Sequence, residues 1–155
     1  MIQKGKNMSR RFAREDTFRI IFESLINKLD AGEYLENYFE EVKKPGGKDE
    51  EEAFLNKPTG SDNEYVKKAV DGVLKKSGEL DAIISENLVG WDVDRISKVS
   101  VAAMRLALYE IMYMDDIPTK VAANEAVEIA KKYDGAECAA FVNGALGSAI
   151  VKLGK

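Results

Sequence analysis

An all-α fold of about seven helices follows from three features of this 155-residue sequence. Apolar residues recur at intervals of three and four from Phe18 to Leu153, capping and turn residues separate these stretches, and no segment shows the alternation of a half-buried strand. Helices joined mostly by short connections bury their apolar stripes against one another as a bundle.

The first helix carries Phe18, Ile21, Phe22, Leu25, Ile26 and Leu29 along one stripe. Ser9 is expected as its N-cap, Gly32 as its stop, and residues 1–8 as a flexible tail. A shorter pattern follows in Tyr34, Leu35, Tyr38, Phe39 and Val42. Pro45, Gly46 and Gly47, then the acidic run Asp49 to Glu52, predict a flexible acidic surface loop over residues 44–63. "SDNE" at Ser61–Glu64 fits the capping box, in which the serine and the glutamate satisfy orphan amides at a helix start. It precedes Tyr65, Val66, Ala69, Val70, Val73 and Leu74, and "KSG" at Lys76–Gly78 closes that helix.

Leu80, Ile83, Ile84 and Leu88 predict a further helix, ending near Gly90 and Trp91. Asp92 or Asp94 is then expected to cap a long apolar helix from Arg95 to Met114, roughly 30 Å at about 1.5 Å per residue. Ile96, Val99, Ala103, Leu106, Ala107 and Ile111 face inward, which makes it the central helix. Pro118 breaks the chain; Val121 to Tyr133 resume the helical pattern until Asp134 and Gly135. The last helix starts near Ala136 and carries Phe141, Val142, Ala145, Leu146, Ala149, Ile150 and Leu153.

Composition narrows the chemistry. Hydrophobic residues at 45% and charged residues at 32% suit one globular domain spanning 1–155. No uninterrupted apolar run approaches the roughly 18 residues of a membrane span, and residues 1–8 lack the apolar core of a signal peptide, so a cytoplasmic protein with no membrane partner is expected. With no histidine and the single Cys138, the usual zinc sites and the Ser-His-Asp and Cys-His arrangements are excluded. Phosphate-cradling glycine motifs are also missing. The expectation is a protein that is not an enzyme, with no cofactor and no metal.

Charge is segregated along the chain. Residues 1–19 hold Lys4, Lys6, Arg10, Arg11, Arg14 and Arg19 against Glu15 and Asp16, a local charge of +4, which leaves -8 for the remainder of a total of -4. Arg10 and Arg14 share one helix face, with Arg11 beside them, opposite Phe18, Ile21 and Phe22. That predicts guanidinium groups standing in water. A solvated helix end is the plain reading. However, cations near a helix N-terminus oppose its dipole, a cost that a polyanion partner would offset. Guanidinium groups bind phosphate bidentately and stack on bases, which suits single-stranded RNA.

"RRFARE" at Arg10–Glu15, "RLALYE" at Arg105–Glu110, "VAANEAVEIAK" at Val121–Lys131 and "FVNGAL" at Phe141–Leu146 resemble, in that order and spacing, the NusB family of transcription antitermination factors. The resemblance covers Arg10 to about Phe22 and Ala102 to Leu146 most closely. It implies two packed three-helix bundles that bind the boxA segment of ribosomal RNA transcripts together with ribosomal protein NusE, so that the RNA polymerase elongation complex reads through termination signals. It further implies RNA contacts by Lys6, Arg10, Arg11, Arg14 and Phe141, and a NusE contact by Phe22. Phe141 and Phe22 keep a second reading as core residues, because both fall on apolar stripes. Arg105 reads as scaffold paired with Glu110 or another acid; Asn124 and Glu125 as buried or capping groups; and Gly144 as a site where another backbone approaches closely. The chain departs from the family pattern at Cys138, Ala139 and Ala140, where relatives carry acidic or polar residues. Two alternatives stay open: the NusB-like domain of an RNA-modifying enzyme such as a ribosomal RNA cytosine methyltransferase, and a structural helical homodimer.

Overall fold

A computed structural model of the chain describes residues 2–27, 31–43, 60–88 and 93–155. Among them are seven α-helices and no strand: α1 (Ile2–Asn27), α2 (Ala31–Lys43), α3 (Gly60–Lys75), α4 (Ser77–Glu86), α5 (Lys98–Tyr113), α6 (Thr119–Asp134) and α7 (Ala136–Leu153), with a 3-10 turn at Val93–Arg95. The chain divides into two compact units, Met1–Val70 and Asp71–Lys155, and the division falls inside α3.

In the first unit α1 packs on α2, and Ala13, Phe18, Ile20, Ile21, Leu35, Tyr65, Val66, Ala69 and Val70 are buried. The buried hydroxyl of Thr17 donates to the Ala13 carbonyl at 2.8 Å, so its burial leaves no unmet donor. Three expectations at the helix ends are corrected. The backbone of residues 2–8 is helical and continues α1, which puts Ser9 inside the helix and buries it rather than making it the cap. Gly5 weakens that extension by about 1 kcal/mol relative to alanine without terminating it. Gly32 belongs to α2 and does not stop α1, which ends at Asn27. Of the expected loop, 44–59 lies outside the described residues; 60–63 belong to α3, so the helix starts before Ser61. The stripe of α1 also stops short of Ile26, which is 51% exposed.

The second unit is organised around α5, whose residues Val99 to Met104 and Leu106 to Ile111 are buried. Its cap is Ser97, whose hydroxyl accepts from the Ser100 amide at 3.1 Å; the start expected at Arg95 lies instead in the 3-10 turn. Arg105 pairs with Asp81 of α4, not with Glu110, and this link ties α4 to α5. Nearby, Gly72 lies under the ring of Tyr109: a Cβ there would overlap Cζ and the hydroxyl. Tyr113 donates to the Glu79 carboxylate, and this bond, with burial and the Glu79 charge, raises its pKa. Burial, helped by Asp71, raises Tyr109 likewise.

The α6–α7 corner forms as the sequence predicts. Pro118 precedes α6, and Gly135, at φ +91°, is at once the C-cap of α6 and the N-cap of α7. By length and composition α7 could cross a membrane, but Cys138, Ala139, Val142, Ala145, Leu146 and Ala149 are buried where it packs on α5 and α6. Its last turns are tied to α4 by Ser148 donating to Asn87 at 2.6 Å and Lys152 donating to the Glu86 carbonyl at 3.0 Å.

Candidate nucleic-acid interface

In the first unit the basic face of α1 is built against α3. Arg10 Nε donates to Asp62 Oδ1 at 3.0 Å, and its guanidinium carbon stands 4.7 Å from the centre of the Tyr65 ring. Arg14 approaches the same ring at 5.7 Å and is only 5% exposed. This corrects the expectation of three guanidinium groups in water. A buried aromatic face and a buried carboxylate, fifty residues away in sequence, compensate the desolvation that a lone arginine would suffer. Arg11, next in the chain and about 100° further round the helix, is exposed. Arg19 is paired with Glu15 at 3.8 Å and Asp16 at 3.9 Å, so part of the local charge is neutralised on α1 itself. Lys6 lies on the α1 backbone, and its side chain is outside the described part of the protein.

Phe22 stacks on the fully buried Phe18, with ring centres 5.8 Å apart, and remains half-exposed. Phe22 is thus partly packed against the core through the face of its ring.

Phe141 belongs to the second unit, one turn beyond Cys138 on α7. It sits on the flank of the buried stripe and is half-buried rather than part of the core. Together with Arg95, Ile96, Ser97, Ser100, Asp134, Glu137 and Cys138 it lines a cavity of about 280 Å³. Each wall comes from near a helix end: the 3-10 turn and start of α5, the last residue of α6, and the first two turns of α7. The Cys138 thiol is hydrogen-bonded to the Ser100 hydroxyl at 3.0 Å and lies 3.9 Å from that of Ser97. Sequence reading had not gathered Arg95, Asp134 and Glu137 around Phe141; the one available signal was that Arg95, Asp134 and Glu137 flank helix breaks.

The remaining expectations separate in the same way. Arg105 is scaffold, as its pairing with Asp81 requires. Asn124 is exposed, not buried, and a Cβ on Gly144 would meet nothing within 4 Å, so the close backbone approach expected there is not formed. Among the described residues no cluster of three metal-ligating side chains occurs. What the arrangement offers is binding chemistry: an exposed guanidinium on a basic helix in one unit, and an aromatic ring at the edge of a polar cavity in the other.

The NusB family pattern matches residues 11–150. The chain is 40% identical over 146 residues to the transcription antitermination protein NusB of Clostridium novyi (strain NT), covering 92% of this chain and 98% of that protein. Among solved structures, T. maritima NusB superposes with a TM-score of 0.75 at 28% identity, over 92% of this chain and 91% of that one. A crystal structure of antitermination factors NusB and NusE in complex with dsRNA shares the fold, with a TM-score of 0.75 at 24% identity over 93% of this chain and 97% of that one. A pattern that spans nearly the whole chain, and a relative matched end to end at this identity, place the protein: it belongs to the NusB family.

Proposed function

We propose that this protein is an antitermination factor that binds boxA-type single-stranded RNA together with ribosomal protein NusE, and so keeps the RNA polymerase elongation complex processive on ribosomal RNA operons. The family match over residues 11–150 carries this reading. The geometry supports it through Arg11, exposed on the basic face of α1 and suited to phosphate, and Phe141, a half-exposed ring suited to stacking on a base. Phe22, stacked on Phe18 and only partly buried, is the NusE contact. The protein acts in the cytoplasm by binding alone, with no catalytic step. Few cations serve RNA here, so affinity without NusE is modest and falls steeply with salt.

The test is fluorescence anisotropy of a synthetic boxA RNA and a scrambled RNA of equal length, with and without NusE, at two salt concentrations. Because the like-folded NusB and NusE complex was crystallised with dsRNA, a duplex competitor is included. Selective strengthening of boxA binding by NusE is expected. Equal binding of both RNAs would reject the proposal.

A further inference from the structure

We infer that Arg95 is a further RNA-binding residue: its guanidinium, on the wall of the cavity that Phe141 also lines, meets the phosphate of the nucleotide whose base stacks on Phe141. The inference rests on the RNA-binding reading above and adds to it a contact in the second unit.

Arg95 ends the 3-10 turn Val93–Arg95, two residues before Ser97 caps α5, so the start of that helix fixes where its backbone stands. The residue is exposed, and among the described residues its side chain has no ion-pair or hydrogen-bond partner. Two carboxylates, Asp134 and Glu137, line the same cavity, yet neither pairs with it. A planar fork of five N–H donors therefore stands open to an added acceptor, in the geometry that suits phosphate.

The backbone around the cavity favours an anion there. Ser97 and Ser100 stand at the start of α5, and Glu137 and Cys138 in the first turn of α7. Two positive dipole ends thus open on the cavity, against the one negative end of α6 at Asp134. No side chain caps the start of α7, so its first amides are left to another acceptor. The two carboxylates do not meet a phosphate, but they can accept from amino groups on a base edge. An aromatic face, acceptors and a guanidinium on one cavity are the complement of a single nucleotide. At about 280 Å³ the cavity is smaller than the roughly 300–1,000 Å³ pocket of a drug-sized ligand, so it takes one base and not a length of RNA.

The experiment titrates the full chain with NusE and a synthetic boxA RNA over a range of salt, at a temperature where circular dichroism shows each variant folded. Arg95→Gln is expected to weaken binding roughly tenfold and to flatten the slope of log affinity against log salt by about 0.7, the loss of one single-strand phosphate contact. Arg95→Lys, which keeps the charge but not the fork, should keep the slope and recover only part of the affinity. A second series uses boxA RNAs in which one phosphate at a time is replaced by an uncharged methylphosphonate. One such replacement should weaken binding to the unaltered chain and make no difference to Arg95→Gln. It should adjoin the nucleotide whose base, when removed, no longer matters to Phe141→Leu.

An unchanged slope in Arg95→Gln would overturn the inference by showing the arginine to be a solvated rim. So would an Arg95→Gln variant that every methylphosphonate weakens as it weakens the unaltered chain, since Arg95 would then attract RNA in general and contact no one phosphate. A silent phosphate remote from the nucleotide stacked on Phe141 would overturn it as well. If the unaltered chain with NusE shows no preference for boxA over scrambled RNA, the RNA reading itself falls and takes this inference with it, a result told apart by needing no variant.

Discussion

Arg105 of α5 and Asp81 of α4 meet through two parallel hydrogen bonds, Nε to Oδ1 at 2.7 Å and Nη2 to Oδ2 at 2.6 Å. The guanidinium retains 13% exposure and the carboxylate 31%, so this is a partly desolvated fork rather than a surface pair. Arg105→Ala should destabilise the protein by about 2 kcal/mol, a fall of roughly 4–8 °C in melting temperature for a chain of this size. Arg105→Lys should recover only part, since an ammonium cannot form the fork. Calorimetry reads both, and a lysine variant as stable as the arginine would refute the role of geometry.

Two kinds of glycine should respond in opposite ways. Gly72→Ala drives a methyl into the Tyr109 ring, which is 7% exposed and hemmed in; the expected cost is about 1–3 kcal/mol or more. Gly144→Ala and Gly147→Ala add a methyl in open space on α7, where alanine gains roughly 0.5–1 kcal/mol over glycine in a helix. Urea unfolding of the three variants checks the contrast. Destabilisation at all three positions would show that α7 is tighter than the geometry indicates.

Removing the ring of Phe141 should weaken RNA binding without harming the fold, because the side chain is half-buried on the rim of its cavity. Phe141→Ala is expected to cost about 1–3 kcal/mol of binding if a base stacks there, and Phe141→Trp to retain most of it. Anisotropy with boxA RNA and NusE supplies the measurement. A loss of melting temperature with affinity intact would return Phe141 to the core.

Alkaline pH provides a separate handle on the first unit. Burial raises the Tyr38 phenol above its usual value near 10, and the Asp16 and Asp62 carboxylates push it in the same direction. A raised folded value means that the neutral phenol stabilises the native state below about pH 10, and that this contribution is lost as pH climbs from there toward the folded value. Tyr38→Phe should therefore flatten the alkaline limb of the stability curve, measured by urea unfolding from neutral pH to about pH 11. Parallel curves for the two proteins would contradict this.

Local signals carried most of the fold. Pro118 and Gly135 bound α6 and α7 where the sequence put them, because proline fixes φ and glycine admits a positive φ without help from distant residues. The start of α5 was missed although "SKVS" at Ser97–Ser100 contained it: three acceptors stood within six residues, and only the fold decides which one meets the free amide. The burial of Arg14 was not legible at all. Helical spacing assigns a residue to a face, but the Tyr65 ring that covers this face arrives from another helix. The cavity beside Phe141 was hidden for the same reason, since its walls are four helix ends separated by up to 46 positions, Arg95 to Phe141.

Gly135 adopts φ +91° with ψ -179°, a combination essentially closed to any residue with a side chain. It also leaves the corner between α6 and α7 no spare residue on either side. The joint is therefore doubly specified, by handedness and by length. An added or deleted residue would rotate α7 by about 100° about its axis, turning Phe141 from the cavity rim and lifting the buried stripe of Cys138, Val142 and Ala145 out of the core, so the placement of the ring depends on a corner that neither lengthens nor accepts another amino acid.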